Sequence, residues 1–565
     1  MNLEFLKNYK KDILYPVIIC FVIIFFIAVN YFSFGDFYYD CGREFLASEA
    51  ILNGAVPFKD IFLSYFPLSY QINAVIMKIF SSNLDVLRIT GSVFSCITAV
   101  FIYLILRNYT DETKSFQITV ITTLITMFNV SLIFNYVTGY SYAFIYAVCF
   151  LFISVYFILR FNKTNLNLNL YASFFLLGGC FALKAEYIFL IIPYLIFCLY
   201  KKISFKNIFI SFVLFFAPLL LSFSILIVQG FNFNDFINYF EFLKNFMSAE
   251  SLDFYNAKIF RRNFFEWIQY NFSGLVSFLI PFLTFCIVLY YPLKKNRDKL
   301  FVFLNFILSI IFFVCFVIKG DFAAYKLFNY ICILNIIILI AGIFNKKLLD
   351  FSFVFLVLIQ IFLCIRFNFT YPGGYAAYTM PIGIMAFCLF FGQIIKNKNF
   401  NKLFMSFMIT IAILNAVYFS LSTNLFINNK IITPKGIYKT DANSDPYTIK
   451  EVLSYMENIK KDKTILILPE GAMFNYLSNR KTNLKYYQLL PNHIEAIGEE
   501  NIVNDLRLNG PDYILITNID YTIYGKDEFC KGFGEKICEF IFENYNRDRT
   551  FSNGRAVEIR AYKKN

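Results

Sequence analysis

The densest group of residues able to do chemistry lies early in the chain, in GDFYYDCGREFLASEAILNGAVPFKD at 35–60. It crowds Asp36, Asp40, Arg43, Glu44, Glu49, Lys59 and Asp60 into one stretch. Carboxylates so placed can take a proton from a substrate hydroxyl, and cations beside them can hold negative charge on a leaving group. His493 is the only histidine and no CxxC pair occurs, which argues against a zinc or haem site; the acidic residues of loop 35–88 could hold a divalent metal, but no ligand set stands out, so no cofactor is expected. Asp40 also has a structural reading. The pattern from Cys41 to Asn53 suits an amphipathic helix ended by Gly54, and Asp40 sits where its N-cap would sit.

The elements that must position these residues are apolar. Of 565 residues, 58% are hydrophobic and 16% charged, against about a quarter charged in a soluble protein. Apolar runs long enough to cross a bilayer recur through the first 425 positions. Soluble enzymes, nucleic-acid binders and disordered scaffolds are excluded. The sequence predicts an α-helical polytopic membrane protein with about 13 transmembrane helices, near 13–34, 89–106, 115–135, 137–159, 167–183, 187–200, 207–229, 272–293, 300–318, 327–344, 351–365, 379–395 and 403–423. The run after Asp12 is too long for a cleavable signal peptide and lacks a small-residue cleavage site.

Charge orients these spans. Alternate connections hold 19 Lys and Arg against 6 Asp and Glu, whereas the opposite ones hold 12 and 13 and the tail 20 and 19. The net charge of +13 therefore sits on one side, which is expected to be cytoplasmic, and needs no nucleic-acid partner. The chain is expected as a multi-pass protein of the plasma (inner) membrane, with its N-terminus inside and loops 35–88 and 230–271 and the tail outside. Residues 61–80 are apolar enough to span, but a crossing there would turn the basic loops outward, so an interfacial or re-entrant helix is expected.

The composition changes after residue 423, dividing a membrane module (1–423) from a small C-terminal extracytoplasmic α/β domain (424–565). Residues 446–461 put Ile449, Val452, Leu453 and Met456 on one helical face, with Asp445 as N-cap before Pro446. KTILIL at 463–468 (with Pro469 following) and DYILITN at 512–518 read as buried strands, and RAVEIRAY at 555–562 as an alternating one. Cys530 and Cys538 can pair in an oxidising compartment. His493 reads as a surface loop residue.

An acidic residue shortly after span one, an amphipathic helix, a Gly, a Val-Pro element and a Pro-containing juxtamembrane helix form a recognisable series. In YYDCGREFLASEAILNG, PFKDIFLSYFPLSY and DVLRITGSVFS it resembles GT-C glycosyltransferases, specifically family 39, the relatives of protein O-mannosyltransferases and of the lipid A aminoarabinose transferase. LPEGAMFNYLSNRKTN and GPDYILITNIDYTIYG resemble the C-terminal region of bacterial membrane glycosyltransferases of this type. Between about 110 and 420 the likeness lies in hydropathy alone.

The resemblance implies a GT-C-like catalytic module, independent of metal, that moves a hexose or pentose from a polyprenyl-phosphate donor to a glycan, lipid or protein acceptor at the outer face of the bilayer. Asp40 matches the family's catalytic Asp, whose usual acidic neighbour is replaced by Cys41, and Asp36 or Asp60 could substitute. One inverting displacement is implied, with a carboxylate as general base. Lys184, Arg261, Arg262, Lys319 and Arg366 are the outer-side cations expected to meet the departing phosphate. Snorkelling at span ends is the other use for Lys319 and Arg366, headgroup binding for Arg261 and Arg262, and pairing with Glu186 for Lys184. Arg43, Glu44 and Glu186 are expected along the substrate loop. Two other classes compete. A flippase or transporter of lipid-linked sugars would want charge inside the spans and paired broken helices, and a surface-polysaccharide polymerase or ligase a large outer loop rich in Arg and His.

Overall fold

A computed structural model describes the chain except residues 1–2, 64, 129–134, 139–140, 261–263, 296, 319–323, 345–350, 368–375, 395–397, 443, 483–484 and 555–556. The description also leaves out the side chains of helical residues 3–10, 257–260, 264–271, 273, 278, 316–318, 324–329, 341–344, 364–367, 376–377 and 390–394.

The expected spans all overlap helices among the described residues. They are α1 (Leu3–Val29), α4 (Leu84–Leu106), α5 (Glu112–Met127), α6 (Tyr142–Thr164), α7 (Asn167–Leu183), α8 (Ile191–Tyr200), α9 (Phe205–Val228), α12 (Phe264–Lys294), α13 (Asp298–Ile318), α14 (Ala324–Phe344), α15 (Phe351–Phe367), α16 (Ala376–Ile394) and α17 (Lys398–Phe426). Between them in chain order lie α2 (Cys41–Leu52) and α3 (Leu68–Phe80) after α1, and α10 (Phe233–Met247) and α11 (Glu250–Phe260) after α9. Seven helices among the described residues are long and apolar enough to cross a membrane, carried by α1, α4, α6, α9, α12, α13 and α17. The chain is an integral membrane protein.

Backbones approach closely where glycine permits it. A Cβ on Gly178 of α7 would lie 1.9 Å from the Phe215 carbonyl oxygen of α9, and one on Gly91 of α4 would lie 2.0 Å from that of Val137. In lipid, where helix packing has no hydrophobic drive, such contacts supply the van der Waals attraction. The apolar stretch at 61–80 yields only α3, whose 13 residues reach about 20 Å, short of the roughly 30 Å hydrocarbon core. It packs against α2 instead.

The tail opens with a hairpin, β1 (Asn429–Thr433) and β2 (Gly436–Thr440), that the sequence pattern did not announce. Then come α18 (Pro446–Asn458), β3 (Ile465–Leu468), α19 (Ala472–Leu477), α20 (Pro491–Ile497), α21 (Glu499–Asn509), β4 (Tyr513–Thr517), α22 (Glu535–Asn544), β5 (Tyr545–Phe551) and β6 (Ile559–Lys564). The expected helix at 446–461 is α18: Asp445 accepts from Thr448 N at 3.2 Å, and Ile449, Val452, Leu453 and Met456 are buried. The expected strands are β3, β4 and β6. With β5 they form one sheet in the order β3-β4-β6-β5, β3 and β4 parallel and the remaining pairs antiparallel. Cys530 and Cys538 are disulfide-bonded.

The tail is packed into the first loop. A Cβ on Gly42 of α2 would lie 2.2 Å from Met473 N of α19, so the two helices touch backbone to backbone. Lys435 of the hairpin turn pairs with Glu49 of α2. Arg88 of α4, fully buried, donates to the Ile437 carbonyl at 2.7 Å and to Asp85 at 3.3 Å. Backbone bonds from Leu84 N to Lys435 O (2.9 Å) and from Phe62 N to Lys485 O (3.0 Å) complete the seam.

Candidate active site

The first turn of α2 is capped by Asp36, not by Asp40. Asp36 Oδ1 accepts the N–H groups of Tyr39 (2.6 Å) and Asp40 (3.0 Å), and Oδ2 accepts that of Cys41 (3.1 Å). This satisfies donors that a helix N-terminus leaves without partners. Asp40 holds the cap position but makes no capping bond with its side chain, which corrects the capping expectation. Its Oδ1 instead meets Arg43 Nη2 at 2.9 Å, one turn along α2. With 28% of its side chain accessible, Asp40 is not fully enclosed by its neighbours. Burial pushes its carboxyl up to about 6; Arg43 and Lys184 oppose the rise and Asp36 adds to it. A carboxylate so poised is a base close to working pH.

Arg43 and Glu44 stand behind it. Arg43 is buried, donates to Gln488 Oε1 at 2.9 Å and lies 5.6 Å from the centre of the Tyr65 ring. Glu44 is fully buried and accepts from Tyr70 Oη of α3 at 3.3 Å; burial lifts it to about 7, against the pull of Arg43 and Lys184. Lys184 occupies the break between α7 and the 3-10 turn Ala185–Leu190, with extended backbone and a buried side chain. Its ammonium lies 3.5 Å from the Tyr65 ring centre and 4.0 Å from that of Phe144. A desolvated cation over such faces gains about 2 kcal/mol. Lys184 thus turns its charge toward the aromatic floor of the site, within electrostatic reach of both Asp40 and Glu44.

The other expected site residues are distributed differently. Asp60 is exposed, and its Oδ2 closes a turn by accepting from Val56 N at 2.8 Å. Glu186 is half-buried, two residues beyond Lys184. Arg261, Arg262 and Lys319 lie outside the described residues; Arg366 belongs to α15, but its side chain is outside the description.

The tail contributes groups that sequence reasoning missed. Glu470 is buried, accepts from Gln488 Nε2 at 2.5 Å and from Tyr521 Oη at 2.7 Å, and is lifted to about 7 by burial and by the charge of Asp40. The ring of Tyr255 on α11 stacks on that of Tyr524 at 4.7 Å, and burial and the Asp40 charge raise both phenols. His493 is buried, correcting its expected surface position: it packs between Phe62 and Phe246 and is depressed to about 3, chiefly by burial, so it stays neutral. Glu470 stands in the LPEGAMFNYLSNRKTN stretch that carried the tail's resemblance, and that was its only signal in the sequence. Among the described residues no group of His, Cys, Asp and Glu could hold a metal ion.

Residues 66–227 match the family described as dolichyl-phosphate-mannose-protein mannosyltransferase. The matched stretch runs from just before α3 to the end of α9 and includes Lys184, but not Asp36, Asp40, Arg43 or Glu44. No curated protein matches the chain. The archaeal oligosaccharyltransferase AglB from Archaeoglobus fulgidus, solved with an inhibitory peptide and a dolichol-phosphate, is similar at a TM-score of 0.52 and 11% identity, over 98% of this chain and 74% of that one. The Archaeoglobus fulgidus oligosaccharyltransferase tethered to an acceptor peptide gives 0.50 and 11%, with the same coverage. ArnT from Cupriavidus metallidurans bound to undecaprenyl phosphate gives 0.47 and 9%, over 96% of this chain and 97% of that one. The chain therefore has the fold of the GT-C superfamily of membrane glycosyltransferases, and its residues 66–227 carry the mannosyltransferase family's pattern.

Proposed function

We propose that this protein is an inverting glycosyltransferase that moves a hexose or pentose from a polyprenyl-phosphate donor to an acceptor at the outer face of the membrane, with Asp40 as general base. The observation that carries the reading is that the Asp40 side chain makes no capping bond. Asp36 takes over the capping, so the Asp40 carboxylate is left part-exposed and steadied by Arg43.

In the proposed step the acceptor hydroxyl gives its proton to Asp40 as its oxygen attacks the anomeric carbon. The bond from that carbon to the phosphate oxygen breaks, and the lipid phosphate leaves with the electron pair. In this reading Lys184 meets that charge, with Arg261, Arg262, Lys319 and Arg366 as further candidates. The bound lipid phosphates of AglB and ArnT motivate the donor class. Thirteen crossings, a cytoplasmic N-terminus and an outer tail in the inner membrane complete the proposal. The disulfide in the tail supports an oxidising, outer compartment, in line with the basic alternate loops.

The test is release of undecaprenyl phosphate from undecaprenyl-phosphoryl hexoses and pentoses, with membrane extract supplying the acceptor. Asp40→Asn should lower it at least about a hundredfold while undecaprenyl phosphate still binds. Near-normal release would sink the assignment and turn attention to Asp36 and Asp60.

A further inference from the structure

The hydrogen bonds of Gln488 have only one consistent direction. An arginine side chain can only donate, so the amide oxygen of Gln488 must face Arg43 and its NH2 must face Glu470. Its Oε1 accepts from Arg43 Nη1 at 2.9 Å, and its Nε2 donates to Glu470 Oε1 at 2.5 Å. Its amide orientation is therefore set by its partners. Glu470 is anchored in turn, because its Oε2 accepts from Tyr521 Oη at 2.7 Å. All of these side chains are buried. The chain of contacts ends at the proposed reacting group, where Arg43 Nη2 meets Asp40 Oδ1 at 2.9 Å.

We infer that Gln488 and Glu470 of the C-terminal domain are positioning residues for the proposed transfer: through Gln488 they fix the rotamer of Arg43, and through Arg43 the direction of the Asp40 carboxylate. The inference rests on the reading of Asp40 as the base. It gives the tail a defined task inside the site, in place of acceptor selection or simple packing. Arg43 reaches Gln488 across 445 positions of sequence, so the base is aligned only when the tail is docked. A long flexible cation left to itself samples many rotamers, and a base about 1 Å out of place can cost a hundredfold in rate.

The experiment exchanges the two side chains in the full-length protein. Gln488→Glu alone sets two carboxylates against each other, and Gln488→Leu removes the amide oxygen that Arg43 Nη1 donates to. Each should lower the turnover of undecaprenyl-phosphate release by about tenfold, with KM and undecaprenyl phosphate affinity unchanged, because the loss falls on alignment and not on donor binding. The combined exchange, Gln488→Glu with Glu470→Gln, restores an acceptor for Arg43, a donor to that acceptor and an oxygen for Tyr521. It also keeps the net charge, and turnover should return to within about threefold of wild type. Melting temperatures of all variants identify any that fail to fold, and the exchange variant keeps the test decisive if Gln488→Glu is one of them. Unchanged turnover in folded Gln488→Leu, or an exchange variant that folds yet stays tenfold slow, overturns the inference. Full release by Asp40→Asn instead overturns the reading beneath it.

Discussion

Asp36 accepts the backbone N–H of Asp40 at 3.0 Å, and by doing so it separates two jobs that the sequence had laid on one residue. Asp36 stabilises the start of α2, and Asp40 is left to face Arg43. The two carboxylates should therefore respond differently to substitution. Asp36→Ala removes the acceptor of three backbone donors and should cost about 1–2 kcal/mol of stability, measured by thermal melting in detergent.

Asp40→Asn should not melt below wild type at pH 7.5. The folded carboxyl is raised above its ordinary 3.8 to about 6. Its contribution to stability is thus present below the unfolded value and lost as pH rises through about 6, so the ionised group is a net cost at pH 7.5 that asparagine does not carry. Activity runs the other way. Wild-type release of undecaprenyl phosphate should fall as pH drops through about 6, where the base becomes protonated. A lower melting point together with normal release would return Asp40 to a structural role.

Lys184→Met keeps most of the stem and removes the charge that lies over Tyr65 and Phe144. If Lys184 meets the departing phosphate, transition-state stabilisation should fall by roughly 2–4 kcal/mol, read as a drop in kcat/KM or in undecaprenyl phosphate affinity. Unchanged values for both would leave the lysine as a packing element of the aromatic floor.

Gly42→Ala tests whether the tail must dock on α2. The added methyl would overlap the backbone of Met473, which cannot swing aside as a side chain could. A loss of about 1–3 kcal/mol is expected from overpacking, with faster proteolysis of the tail and slower release of undecaprenyl phosphate. Wild-type melting and release would mean that the seam adapts without cost.

Topology is open to direct labelling. In a background without the free cysteines, Glu500→Cys should react with a membrane-impermeant maleimide in intact cells, and Arg297→Cys should react only after permeabilisation. The reverse pattern would invert the proposed orientation.

What could be read from the sequence alone was local in origin. Helical segments follow from the length of apolar runs, because each backbone polar group in lipid must be satisfied within its own helix. The α2 helix, its ending at Gly54 with φ +98°, and α18 with its Asp445 cap follow from spacing and capping chemistry that act within a few residues. The acidic loop, and Asp40 within it, stood out because charge beside a membrane is expensive. Which carboxylate caps and which pairs with Arg43 was not legible, since Asp36 reaches the helix start by a turn that no periodicity encodes. Nor were Glu470, Gln488 and the burial of His493. Their partners are Arg43, Tyr521, Phe62 and Phe246, two of them more than 400 positions away, and it takes the docking of the tail, with α19 against Gly42, to bring them together. Hydropathy and capping decide the elements one at a time, whereas the charges that tune a buried carboxylate come from every element packed around it, and only the tertiary structure assembles them.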